Sequence, residues 1–142
     1  PAVKEGFYPD AISTDIHIGS MNGSMKDLLT VMDKFMAMGM PLNAVIEASS
    51  WKPAQIIKRP ELGNLSVGAP ADIAVLGLRK GNFGFFDYIG HRITSQERLE
   101  CEITVRAGEI VFDYNGLAYP LNVDFKKYIR EENLRRQSMR EH

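Results

Sequence analysis

The hydrophobic pattern of this chain passes from a helical to a strand period between residues 60 and 71, and that change constrains the fold more than any other feature. Ahead of it, Leu28, Val31, Met32, Phe35 and Met36 recur at three- and four-residue spacing. That spacing predicts a helix from Lys26 with one buried face. Gly39 ends it, and Pro41 suits the first turn of a second helix, residues 41–50, burying Leu42, Val45 and Ile46. Methionines 25, 32, 36, 38 and 40 read as adaptable core filler rather than soft-metal ligands. Residues 49–54 (SSWKPA) break the helix, and residues 54–58 make one more turn. Beyond the glycine-punctuated residues 61–70, the period becomes that of strands.

Residues 72–78 (DIAVLGL) form a near-continuous apolar run, read as a buried strand, and the aromatic-rich residues 83–89 as a second one. In residues 99–105, Leu99, Cys101, Ile103 and Val105 alternate with polar neighbours, so one face is buried and Cys101 belongs to the core. Ala107-Gly108 is a tight turn that returns residues 109–113 (EIVFD) as a hairpin partner. The charged residues 124–141 predict a helix capped by Asn122 or Asp124, with a thin stripe of Phe125, Tyr128, Ile129 and Leu134. Basic and acidic residues mix there, which describes a solvated face and not a nucleic-acid patch. The expected architecture is α/β. A strand–helix–helix part spans residues 1–60, an antiparallel β-sandwich part residues 61–116, and a helical tail residues 117–142.

Composition narrows the function. The 142 residues carry a net charge of −1, so nothing points to nucleic acid or to an anionic membrane surface. No apolar run reaches the roughly 20 residues of a membrane span. The first ten residues lack the apolar stretch of a signal peptide, and a single cysteine fits a reducing compartment, so a cytoplasmic location is expected. The chain opens on Pro1, as a trimmed or internal piece would.

The chemistry-bearing stretch is residues 9–23 (PDAISTDIHIGSMNG). It reads as a short strand over residues 11–14 that ends on Asp15, followed by His17 and the small, polar loop Gly19, Ser20, Met21, Asn22 and Gly23. An acid at the carboxyl end of a strand, leading into a loop and a helix, is how barrel enzymes place a catalytic group. An acid after a strand is equally an N-cap or turn residue. There is no phosphate-binding glycine loop, no dinucleotide fingerprint, no HExxH, no paired-cysteine motif and no GxSxG elbow. His91 and His142 read as solvated histidines.

Residues 6–17 (GFYPDAISTDIH), 19–23 (GSMNG) and 64–76 (NLSVGAPADIAVL) together resemble the C-terminal portion of amidohydrolase-superfamily metallohydrolases. The deacetylase and dihydroorotase-like branch is the most similar. SSWKPA resembles a variant of the element these proteins carry after their last barrel helices. The resemblance implies the last strand and helices of a (β/α)8 TIM barrel joined to antiparallel β-sandwich strands. It implies one or two divalent metals, usually zinc, and hydrolysis of an amide-like C–N bond or an ester in a small-molecule substrate. Asp15 matches the acid of the eighth strand, a metal ligand that moves the proton from water to the leaving nitrogen. His17, Ser20, Met21, Asn22 and Gly23 are then substrate-side residues.

The His-x-His pair, the bridging lysine and the further histidines of such sites are missing from this sequence, and a whole barrel takes about 250 residues. The 142-residue chain is therefore expected to be a C-terminal fragment that is inactive by itself. The alternative is a non-catalytic sandwich-and-helix module that dimerises or swaps strands through exposed apolar faces and open edges.

Overall fold

The computed structural model describes residues 2–118 and 124–138. A single 3-10 turn, Ala2–Glu5, precedes an extended stretch and four helices: α1 (Ile18–Met21), α2 (Leu28–Ala37), α3 (Leu42–Ser49) and α4 (Trp51–Ile56). Strands β1 (Ile73–Phe86), β2 (Arg92–Arg106) and β3 (Glu109–Asp113) follow, and α5 (Phe125–Ser138) is last. The strands form one antiparallel sheet in the order β1-β2-β3. No helix among the described residues is long and apolar enough to cross a membrane.

Local chemistry explains the helix limits. Asp27 caps α2, its carboxylate accepting the Thr30 N–H at 2.7 Å. At the other end Gly39 adopts φ +104, and the N–H groups of Gly39 and Met40 close onto the carbonyls of Met36 and Phe35. This is the glycine-dependent helix stop that the sequence predicts. The break expected over residues 49–54 is confined to Ser50, which leaves helical angles while Trp51 begins α4. Pro53 falls in the first turn of α4, where a missing N–H costs nothing. Leu42 and Ile46, expected in the core, are 39% and 37% exposed, whereas Val45 and Ala48 are fully buried. Half a helix face is therefore covered where a whole one was expected.

Ile12, Val31, Met32, Met40, Val45, Ala48 and Leu99 make up the core, so β2 contributes to the same apolar cluster as the helices. Each large aliphatic side chain withdrawn there contributes about 1.5–3 kcal/mol. The strand expected over residues 11–14 is an extended segment instead. Ile12 gives its N–H to the Ala48 carbonyl at 2.8 Å, and among the described residues no strand lies beside it to form a ladder.

The sheet departs from expectation through its bulges. The two strands expected over residues 72–78 and 83–89 are one strand, β1. Its pairing with β2 continues across Gly81 and Asn82 as a register shift between Lys80 and Phe83. A second shift pairs Val75 with Ile103 and Leu76 with Cys101, leaving Glu102 without a partner on β1. An extra residue reverses the faces of a strand beyond it. Leu76 and Leu99 thus turn toward the helices, and Ile103 and Val105 turn away. Cys101 is half-buried and not a core residue, its Sγ 3.3 Å from Thr104 Oγ1. The β2–β3 turn matches the sequence reading: Ala107 and Gly108 both have positive φ, as a two-residue hairpin turn requires. In α5, Asp124 accepts the N–H groups of Lys126 and Lys127. Asn122, the other candidate cap, and residues 139–142, with His142, lie outside the described residues.

Candidate active site

Residues 15–23 are organised by a short helix and its cap. Asp15 has φ +46, a left-handed conformation that Asp tolerates better than most residues. It turns the chain from the extended segment toward α1. His17 is the N-cap of α1, and its Nδ1 accepts the Gly19 N–H at 3.1 Å. Ser20 Oγ accepts the His17 N–H at 2.9 Å and lies 3.2 Å from the carbonyl oxygens of Asp15 and His17. The result is a capping box with an imidazole in the place of the usual hydroxyl. Because Nδ1 is an acceptor, neutral His17 carries its proton on Nε2. A Cβ on residue 19 would sit 3.0 Å from His17 Cε1, so glycine lets the ring fold back onto the helix start.

Asp15, His17, Ser20 and Gly23 line one cavity of about 710 Å³. Met21 and Asn22, the other candidate substrate residues, do not line it: Met21 is exposed and Asn22 is the C-cap of α1. Met25, Lys34, Met38, Phe85 and Ile93 add a mostly apolar lining, and the turn between β1 and β2 adds Phe86, Asp87, Tyr88 and His91. That turn is pinned by Asp87, whose Oδ1 accepts the N–H groups of Ile89 and His91 at 3.0 and 2.8 Å. Its Oδ2 lies 3.3 Å from His91 Nδ1.

Desolvation pushes the Asp87 carboxyl up, but the two backbone donors and the neighbouring imidazole outweigh it and hold the group below the usual carboxylate range. Burial lowers Lys34, opposed by the negative charge of Asp87. Lys34 Nζ donates to the Ser24 carbonyl, which ties α2 to the loop below Asp15.

Sequence reasoning missed Asp87, Tyr88, His91 and Lys34. His91 was read as a solvated loop histidine, and its side chain is indeed 80% exposed. Its place in the cavity with Asp15 depends on β1 and β2 folding back over the helices, which no local pattern encodes. The legible signal was an acid three residues before a glycine and four before a histidine, a spacing that suits a carboxylate accepting turn N–H groups.

The donor set does not complete a metal site. Among the described residues no three His, Cys, Asp or Glu side chains lie together to hold an ion. Asp15 is a lone carboxylate, and Nδ1 of His17 is already engaged by a backbone N–H.

A family model for the amidohydrolase family matches residues 1–122. The chain belongs to that family. Among curated relatives, a Brucella anthropi deacetylase is 43% identical over 77 residues, 54% of this chain and 19% of the relative. An Enterococcus faecalis deacetylase is 29% identical over 110 residues, 77% of this chain and 30% of the relative. An adenine deaminase structure superposes with TM-score 0.75 at 29% identity, over 79% of this amidohydrolase chain and 30% of that one. A dihydroorotase gives TM-score 0.72 at 32% identity, over 79% and 31%. The chain therefore spans between a fifth and a third of the length of the relatives it matches.

Proposed function

We propose that this amidohydrolase chain serves the hydrolysis of amide-like C–N or ester bonds in a small molecule, with Asp15 as the proton-transfer group. The observation that carries this reading is the placement of Asp15, within a stretch that resembles the family's catalytic acid, on a cavity whose apolar walls also carry His17, Ser20, Lys34, Asp87 and His91. Asp15 takes a proton from the attacking water and returns it to the leaving nitrogen or oxygen. A positioned carboxylate in that role typically contributes about 10²–10⁴-fold in rate. Ser20 holds the backbone of Asp15, and His17 presents Nε2–H as a donor toward bound substrate. Asp15 would give one oxygen to a divalent metal, zinc first among them. The remaining donors are not among the described residues.

The deacetylase names of the relatives make N-acetylated amides and acetyl esters the first substrates to try. The test is a chimera in which residues 1–118 replace the matching segment of the Enterococcus faecalis deacetylase. The chimera should hydrolyse what that protein hydrolyses, and Asp15→Asn should lower kcat by about 10²–10⁴-fold with the fold intact. Equal kcat for the Asn variant, or a folded chimera without activity, would remove Asp15 from the mechanism.

A second reading, assembly through the sheet, draws support from Val75, Ile110, Val111 and Phe112, all exposed. It is compatible with the first.

A further inference from the structure

The turn between β1 and β2 brings to the cavity a histidine that the proposed chemistry does not use. Asp87 approaches His91 from one side only, with Oδ2 at 3.3 Å from Nδ1, while its Oδ1 holds the backbone N–H of the same residue. A carboxylate beside one ring nitrogen selects the tautomer protonated there. Nδ1 then carries the proton, and Nε2 is left as a lone-pair acceptor. His17, in the same cavity, has the opposite arrangement, with Nδ1 accepting from backbone and Nε2 carrying the proton. The cavity thus holds one imidazole set to donate and one set to accept. Phe85, Met38 and Ile93 supply apolar surface beside them.

We infer that His91, oriented by Asp87, is a substrate-contacting residue that accepts a hydrogen bond from a substrate N–H through Nε2, so that the site favours secondary amides over esters. The inference rests on reading this cavity as the substrate site and narrows its substrate class. An ester, or a tertiary amide, has no proton to give and forgoes the bond to His91. Asp87 acts through His91 and is a positioning residue.

The experiment is a ligand titration of the 142-residue chain, followed by the imidazole nitrogen NMR shifts of His91. Two probes differ only at the amide nitrogen, N–H in one and N–CH3 in the other: N-benzylacetamide and N-benzyl-N-methylacetamide. In the free protein Nε2 should show the shift of an unprotonated nitrogen, and Asp87→Asn should move the ring toward a mixture of tautomers. N-benzylacetamide should move the Nε2 resonance and bind about 3- to 10-fold more tightly than its N-methyl counterpart, the range of one neutral hydrogen bond. His91→Phe, at an exposed position where the fold is not at stake, should abolish that preference. Equal binding of the two probes, a preference that survives His91→Phe, or no Nε2 response to either probe would overturn the inference. None of these readouts needs metal or turnover. Failure of Asp15 in the hydrolysis assay and failure of His91 here are therefore separate results.

Discussion

Asp33 is 1% exposed and carries a carboxyl group into the layer between α2 and β2. Oδ1 accepts the Leu99 N–H at 2.8 Å, and Oδ2 is buried without a hydrogen-bond partner among the described residues. Desolvation raises its pKa to about 6, against the Leu99 donor and the charge of Arg98, with Asp27 adding to the rise. An acid whose folded pKa lies above its unfolded value destabilises the fold once it ionises. Its stabilising contribution is complete below the ordinary value of 3.8 and is lost as pH rises toward about 6. The loss is on the order of 3 kcal/mol, about 1.4 kcal/mol for each unit of displacement. Urea unfolding at intervals from pH 4 to pH 7 should show wild type weakening over that range, and Asp33→Asn should flatten the profile. Parallel profiles for the two proteins would show that Asp33 does not titrate there.

Among the elements, the α3–α4 junction is held by a close approach rather than by a cap. Gly63 has φ +69, and a Cβ there would lie 2.5 Å from the Ser50 carbonyl oxygen, a backbone atom with little room to give. Gly63→Ala combines the left-handed penalty with that clash. It should destabilise the chain by about 2–4 kcal/mol, at the upper end for single substitutions. The shift in the urea midpoint measures it, and a change under about 0.5 kcal/mol, the range of ordinary surface substitutions, would mean that the 61–64 turn moves freely. The Gly-Ala-Pro-Ala-Asp run of residues 68–72, within the family-like stretch 64–76, has a structural task in the sheet. Asp72 accepts the Ala107 N–H at 2.7 Å, and Ala71 accepts the Gly108 N–H at 3.0 Å, which locks the β2–β3 turn against the start of β1.

At the scale of the whole molecule, the helical layer packs against one face of the sheet among the described residues. The helices take Leu76 and Leu99, whereas Val75, Ile110, Val111 and Phe112 are exposed, Val111 at 59%. Among the described residues β1 and β3 are the edge strands of the sheet. Val75 and Ile110 share one face by register, Phe112 pairs on the other, and such exposed apolar side chains beside strand edges favour association. In light scattering the purified chain should exceed monomer mass at micromolar concentration, and Val111→Lys should shift it toward monomer. A monodisperse wild-type monomer would count against self-association.

The sequence by itself determined the parts governed by neighbouring residues. Spacing marked α2 and α3, Gly39 their boundary, Ala107-Gly108 the hairpin, and residues 6–23 with 64–76 the family. These are short-range matters of side-chain period, backbone freedom and capping, and one segment suffices to express them. Only the tertiary structure decided where the bulges fall. One residue without a partner on β1, Glu102, puts Ile103 and Val105 on the face opposite Leu99, a matter of pairing between residues 75–76 and 101–103. Likewise, Asp15 and His91 share a cavity only because the β1–β2 turn folds back beside the capped loop of α1. Contacts between segments that far apart in sequence leave no period to read, so that part of the site became visible only in the fold.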